Sequence, residues 1–384
     1  MSSSEPEFND AREYSSLEEV MNTLLTAKGK SFRELDQTGR ALTGGNKGSL
    51  GQIIEESVLK YAINSDAAPD IHIGDTSYEL KVTPLKHIKK GKQTSAKERL
   101  VIDIINYLTL ADETDFESSK MWDKAKNIIL VYYYDDRTDK KKELRIDCKV
   151  LASYLMKYEA DDLATIKNDW HVIRDKVASG HADSLSESDT NYLAACTKGA
   201  NSKQLREAPA PAGANTATIF AKQRAFSLKT SYMTAIARKL LNRKSETVRL
   251  PIPQEQNLDE YVAAKFIPYT GKSSRDIASE LQVSAAPTAK NYNSSLAFAM
   301  LGASKSSISK IEQFSKANIS QFKSVTIYPD GLPREHMSFK VITDDQWEEW
   351  ANPQTTWEQS FVRDFFETSK FLIMVSKSPI PYQS

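Results

Sequence analysis

The sequence predicts an α/β chain of the α+β kind, helices packed on a mixed sheet, and three observations carry that expectation. Residues 69–82 spell a hairpin. The run from Asn127 to Tyr134 is almost wholly apolar and rich in β-branched and aromatic residues, as a strand buried on both faces should be. Around these lie segments whose apolar residues recur at helical spacing. The chain has 384 residues, 40 % apolar and 27 % charged, which is globular composition and length enough for two cores.

The hairpin holds the most chemistry. Ile71 to Ile73 form a first strand, Gly74-Asp75 a turn, and Tyr78 to Val82 a second strand, expected to stop before Pro84. Side chains alternate faces along a strand, so Glu79 and Lys81 share one face while Leu80 and Val82 turn to a core. If the chain folds back so that Asp70 lies beside Glu79, the two carboxylates make an oxygen site for a hard divalent ion, with Lys81 next to it.

Taken in order, the chain opens on an acidic lead-in over residues 1–15, followed by a helix from Leu17 to Ala27 and a short one from Ser31 to Leu35. After the loop Thr43-Gly44-Gly45-Asn46, a helix should run from Lys47 to Ile63, burying Leu50, Ile53, Ile54 and Val58. From Lys81 to Arg99 a basic loop carries Lys81, Lys86, Lys89, Lys90, Lys92, Lys97 and Arg99 against the single acid Glu98. Beside a carboxylate site such a run suits a phosphate backbone. Glu143 to Val150 reads as a neighbour of the central strand, and residues 151–190 as helical. Ala208 to Ala214 reads as a flexible insert, and Arg249 to Pro253 as a domain boundary. Trp347, Trp350, Trp357, Phe361, Phe365 and Phe366, at helical spacing, are expected in the core.

The formal net charge is zero, so any nucleic-acid contact must rest on local charge. No apolar run reaches about 18 residues and no apolar leader follows Met1, which leads to the expectation of a soluble, cytoplasmic protein. Cys148 and Cys196 lack metal-ligand spacing and five scattered histidines offer no zinc site, so two free thiols are expected.

The two halves resemble each other. Gly29-Lys30-Ser31-Phe32-Arg33-Glu34-Leu35 matches Gly271-Lys272-Ser273-Ser274-Arg275-Asp276-Ile277, and Ser49-Leu50 matches Ser295-Leu296. Tyr78 to Thr83 matches Ser320 to Val325, and Lys124 to Val131 matches Lys370 to Val375. On this register Glu312 stands for Asp70, Gln321 for Glu79 and Leu301 for Glu55. A site that loses two carboxylates loses most of its charge, so the second copy reads as a structural or DNA-binding one. It stops soon after its strand, so either it is a half-length copy or the chain is part of a longer protein.

Pro69-Asp70, eight residues, then Glu79-Leu80-Lys81 resembles the PD-(D/E)xK nuclease signature. Together with Lys47-Gly48, Gly51-Gln52 and Glu55 upstream, Tyr192-Leu193, Lys198 to Lys203, Ser227 to Thr230 and Ala235 to Arg238, it resembles the MutH family over residues 25–245. The added second copy is similar to the Sau-type GATC-cutting restriction endonucleases. The resemblance implies a restriction-endonuclease-like core over residues 1–248 and a degenerate MutH-like domain, a partial repeat, over 258–384. It makes Asp70, Glu79 and Glu55 ligands of Mg2+, Lys81 the catalytic lysine, and Lys124 or Lys126 a further lysine near the site. It makes Lys198 the candidate base reader, and Lys47, Lys86, Lys89, Lys90, Lys203 and Lys229 contacts to DNA. Cys196-Thr197 stand where MutH has Arg-Pro, and Phe226-Ser227 where it has aromatics, so those contacts do not carry over.

The implied activity is that of a type II restriction endonuclease cutting double-stranded DNA at GATC, self-associating on its site and working beside a cognate DNA methyltransferase. The alternatives are a MutH-type nicking enzyme of mismatch repair and a catalytically silent DNA-binding regulator.

Overall fold

The computed structural model describes residues 13–39, 49–61, 70–88, 93–137, 144–198, 204–241, 247–253, 256–303, 308–339, 341–353, 355–357 and 360–378. The chain divides into two compact units, one from residues 1–103, 114–158 and 236–243, the other from 104–113, 159–235 and 244–384. Both mix helices and strands, as the sequence leads one to expect.

The first unit is built on a five-stranded mixed sheet. Its strands are β1 (Ile71–Ile73), β2 (Thr76–Ile88), β3 (Gln93–Ala96), β5 (Ile128–Tyr134) and β6 (Val150–Leu155), with β4 (Leu100–Ile104) following β3 in the chain. β1 and β2 pair antiparallel with Ile73 opposite Thr76, so Gly74-Asp75 is a two-residue turn. Gly74 takes φ 55°, the positive value that the first position of a type II′ turn requires. β2 pairs parallel with β5, placing Glu79 level with Ile128 and Lys81 level with Leu130, and β6 closes antiparallel on β5.

Pro84 does not end the strand. The Pro84 carbonyl accepts from Lys97 N–H at 2.9 Å, which turns this residue's backbone away from β5, while the Leu85 carbonyl facing the β5 side accepts from Asp135 N–H. The missing proline N–H therefore falls where β2 has no ladder partner, between the ends of β1 and β3, and costs no sheet hydrogen bond. The expected basic loop is in consequence largely the hairpin β2–β3. Likewise the neighbour of β5 begins only at Val150, after a short turn at Arg145–Asp147, and Leu151 and Leu155 belong to it rather than to a helix.

Helices cover the sheet. Ser16 caps Leu17–Leu25, accepting from Glu19 N–H, and Ser31 with Glu34 forms a capping box on Phe32–Leu35. Ser49–Gln52 passes into a π-helix, Ile53–Val58, which stops short of the expected Ile63. Val20, Leu24, Phe32, Ile53 and Ile54 are at most 1 % exposed and pack with Leu80, Val131 and Tyr133 of the sheet. Each such burial contributes roughly 1.5–3 kcal/mol, and this core fixes which face of β2 is left for Glu79 and Lys81.

The second unit contains the antiparallel pair β7 (Leu193–Thr197) and β10 (Arg224–Leu228), the hairpin β8 (Leu205–Pro209) and β9 (Thr218–Lys222), and the parallel pair β11 (Ile319–Ile327) and β12 (Lys370–Lys377). The segment Ala208 to Ala214 is the ordered link of β8 to β9, with Ala208 fully buried and Ala210 N–H donating to the Ala217 carbonyl at 3.0 Å. The helix Ala160–Ala178 buries Trp170 and Ile173 completely. The aromatic residues near the end are not core. Trp347, Trp350 and Trp357 are about half exposed, Trp347 and Trp350 stacking at 5.4 Å, because the short helices Asp344–Ala351 and Phe361–Thr368 pack their rings on one another and on Phe371 with no further layer over them among the described residues.

The matched halves share local geometry. Gly29 and Gly271 both take φ 81°, and Ser31 and Ser273 both cap the helix that follows. β11–β12 repeats the parallel pairing of β2–β5, with Gln321 level with Phe371. Among the described residues no hairpin precedes β11; Glu312 instead opens a helix, Glu312–Lys316, and pairs with Lys316 and Arg249. Among the described residues no helix is long and apolar enough to cross a membrane, and Cys148 and Cys196 are free.

Candidate active site

The turn at Gly74-Asp75 sets the register that builds the site. With Ile71 opposite Tyr78, the residue before β1, Asp70, comes level with Glu79, and its Oδ2 accepts the Leu80 N–H at 2.7 Å. The two carboxylates thus meet at one end of β2. Glu79 is only 7 % exposed. Its Oε1 accepts from the Lys81 ammonium at 2.5 Å, while its Oε2 is buried and has no hydrogen-bond partner among the described residues. Lys81 lies on the same face two residues on, as the strand alternation requires.

Glu55 approaches from the π-helix, its Oε1 lying over Gly51, where a Cβ would stand 3.6 Å away. Burial pushes its carboxyl up to about 7, the Asp70 charge adding to that, with Lys81 opposing and Glu79 and Glu56 adding further. Asp70 is raised as well, by burial first and by Glu79 second, against the Leu80 N–H, Lys81 and Lys124. Glu55 and Asp70 are thus both partly desolvated, and the Glu79 charge raises both. Hard oxygen donors, a buried unpartnered carboxylate oxygen and mutual repulsion are the conditions that a divalent cation relieves. Among the described residues no three acidic, histidine or cysteine side chains converge tightly enough to hold an ion as they stand.

Of the two candidate lysines before β5, the site faces Lys124. Its ammonium is 13 % exposed, acts on Asp70, and donates to Asp103 Oδ1 at 3.0 Å. Lys126 is 42 % exposed and pairs with Asp123 three residues back. Asp103 was not singled out by its sequence context, because a lone acid in an apolar strand carries no motif.

Lys86 is half-buried on β2, level with Ser95 of β3. An acid from outside the 81–99 run answers part of its charge, Asp135 pairing with Lys97 at 3.1 Å. Lys198 and Lys229 belong to the second unit. Lys198 is exposed at the end of β7, its N–H bonded to the Gln223 carbonyl at 2.9 Å. Lys229 is 6 % exposed and its ammonium donates to the Thr190 carbonyl at 2.6 Å, so it sits inside the fold and not on a surface. Lys47, Lys89, Lys90 and Lys203, with Pro69, lie outside the described residues.

Residues 59–169 match the family model of the DNA mismatch repair enzyme MutH, a span that contains Asp70, Glu79, Lys81 and Lys124. Over 225 residues the chain is 26 % identical to the DNA mismatch repair protein MutH of Shewanella woodyi, covering 57 % of this chain and 90 % of that protein. A MutH of Shewanella sp. (strain MR-7) is likewise 26 % identical over 197 residues, 51 % of this chain and 80 % of that one. The type II restriction enzyme Sau3AI of Staphylococcus aureus is 34 % identical over 378 residues, covering 95 % of this chain and 73 % of that enzyme. That match runs through both halves, and on it the chain belongs to the family of type II restriction enzymes that contains Sau3AI.

Proposed function

We propose that this chain is a type II restriction endonuclease that hydrolyses both strands of DNA at the palindrome GATC with Mg2+. Its family makes it a site-specific DNA endonuclease; the target and the metal are the finer reading. The observation that carries the chemistry is the buried Glu79, one oxygen on Lys81 and the other without a partner, opposite Asp70.

Glu79, Asp70 and Glu55 would hold the cation, which when bound lowers the pKa of a water and neutralises phosphate charge. The residues do the rest. Lys81, held on the strand face by Glu79, is positioned to orient the attacking water and to donate to the phosphate oxygens as negative charge builds. Lys124 supplies a second ammonium from the Asp70 side. Leu80 N–H fixes the Asp70 carboxylate in line with the strand end. Lys198, exposed at the end of β7, is the candidate reader of guanine O6 and N7.

The second copy, residues 258–384 against 1–248 for the first, is proposed to bind DNA or to regulate without cutting. Gln321 and Leu301 replace Glu79 and Glu55 there, and Glu312 is committed to Lys316 and Arg249. Because a palindrome has two scissile bonds, self-association on the site is part of the reading, and a cognate methyltransferase would protect host DNA without needing contact with this chain. A MutH-type nickase is the second reading, favoured by the match of residues 59–169 to the MutH family model. Digestion of a supercoiled plasmid with one GATC site, with and without Mg2+, separates the two. Linear product that depends on the metal and vanishes when GATC is scrambled is expected; open circles alone favour the nickase, and metal-independent or site-independent cutting overturns the proposal.

A further inference from the structure

We propose that Asp103 is a positioning residue for the hydrolysis, holding the Lys124 ammonium against the carboxylate site; this rests on the nuclease reading of Asp70, Glu79 and Lys81. Asp103 lies on β4 and is 16 % exposed. Each of its oxygens takes one lysine of the helix Lys120–Ala125: Oδ1 takes Lys124 at 3.0 Å and Oδ2 takes Lys120 at 3.4 Å. The two lysines are one turn apart on one helix face, so a single carboxylate grips both.

The helix that carries them is itself tied to the site. Ser119 caps its start, accepting from Trp122 N–H at 3.1 Å, and Met121 and Ala125 are buried beneath it. Its end runs directly into β5 through Asn127, whose carbonyl accepts the Glu79 N–H at 2.9 Å and whose side-chain amide donates to the Ser77 carbonyl at 3.1 Å. Lys124 thus stands three residues from a direct backbone bond to Glu79. Holding a lysine in one conformation costs roughly 1.5–2 kcal/mol of side-chain entropy. Lys126 shows the alternative, an exposed pair with Asp123 on its own helix that leaves the ammonium in water. For Lys124, Asp103 uses one of the three N–H donors and leaves two for a phosphate oxygen.

Without Asp103 the helix would still form, because its cap and its buried residues are untouched, but the ammonium would be free to swing into solvent.

The test is a mutant cycle on the single-turnover cutting rate of a GATC duplex at saturating protein and Mg2+. Asp103→Ala should slow cutting about tenfold and Lys124→Ala about a hundredfold, and the double variant should equal Lys124→Ala, because a residue that acts only through Lys124 has nothing left to act on. Asp103→Glu should restore most of the rate. Asp103→Asn, which keeps the size and removes the charge, should show the same loss and the same non-additivity if Asp103→Ala fails to fold. DNA affinity without metal should change by less than about twofold. Loss of the same factor in the Lys124→Ala background, or wild-type cutting by Asp103→Ala or Asp103→Asn, overturns the proposal. Wild-type cutting by Lys124→Ala while Lys81→Ala is inactive overturns it and leaves the nuclease reading standing; wild-type cutting by Lys81→Ala overturns both.

Discussion

Asp169 should be among the most consequential buried charges outside the active site. It sits on the helix Ala160–Ala178, fully buried, and accepts the backbone N–H groups of Asn191, Tyr192 and Leu193 at 2.8, 2.6 and 2.9 Å. Those residues lead into β7, at whose far end Lys198 stands. Asp169→Ala would strand three buried donors, each costing about 1–3 kcal/mol, and deprive Lys229 of a nearby negative charge. Against this, the carboxylate's own burial is recovered. Its carboxyl is pushed up to about 6, mainly by burial and in spite of the three N–H bonds, which makes the ionised form dearer than in the unfolded chain by about 3 kcal/mol. The net loss should be about 3–5 kcal/mol, the range for breaking a buried charged network. Asp169→Asn keeps one acceptor and should lose about 1–2 kcal/mol.

The pH dependence follows from the same shift. A folded-state pKa above the unfolded value means that the folded protein binds the proton more tightly, so this group's contribution is fully present below about pH 4 and is lost as the pH rises through 6. Urea unfolding followed by tryptophan fluorescence, to which Trp170, buried on the same helix, contributes, measures both. The advantage of wild type over Asp169→Asn should shrink between pH 4 and pH 7. A loss below about 1 kcal/mol for Asp169→Ala, or a flat difference across that pH range, refutes the reasoning.

Three further predictions concern other parts of the chain. Lys316 is 4 % exposed and its ammonium bonds both oxygens of the fully buried Asp162 at 2.8 and 2.9 Å. Lys316→Met should therefore cost about 3–5 kcal/mol in urea unfolding, most of it recovered by adding Asp162→Asn; no recovery in the double variant contradicts an unpaired charge as the cause. Gly180 takes φ 84° and a Cβ there would stand 2.2 Å from Pro211 N, so Gly180→Ala should destabilise by about 2 kcal/mol or more and loosen the β8–β9 hairpin, read as faster amide exchange at Ala210 and Ala214. Gln321→Glu in the second copy should not create a second cutting site, since Leu301 and the paired Glu312 still withhold ligands; cutting by that variant in an Asp70→Ala background would contradict the degenerate reading.

The features legible in the sequence are those fixed by local chemistry. The Gly74-Asp75 turn sets its own register through a positive φ, and that register alone brings Asp70 to Glu79. The apolar run of β5 could be read because burial on both faces leaves no polar position in it. What escaped depends on what lies across space. Whether Pro84 ends β2 turns on which side of the strand lacks a ladder partner. Lys229 reads as a surface cation until Thr190 and Asp169 are placed around it. The aromatic spacing of Trp347 to Phe366 reports an apolar helix face, yet no periodicity says whether another layer covers it. The Pro- and Ala-rich link at 208–214 looks mobile, but its backbone bonds and the gap left by Gly180 hold it. Asp103 belongs to the same class, an acid that acquires a role only when the lysines of a helix seventeen residues on are folded against it.

The central claim is that Asp70, Glu79 and Lys81 form a metal-dependent cutting site, and the direct measurement is strand cleavage and DNA affinity of Lys81→Ala and Asp70→Asn on one GATC duplex. Each variant should lose roughly a hundredfold or more in cutting rate with Mg2+, while binding the duplex within a few-fold of wild type. Either variant cutting at the wild-type rate would contradict the account.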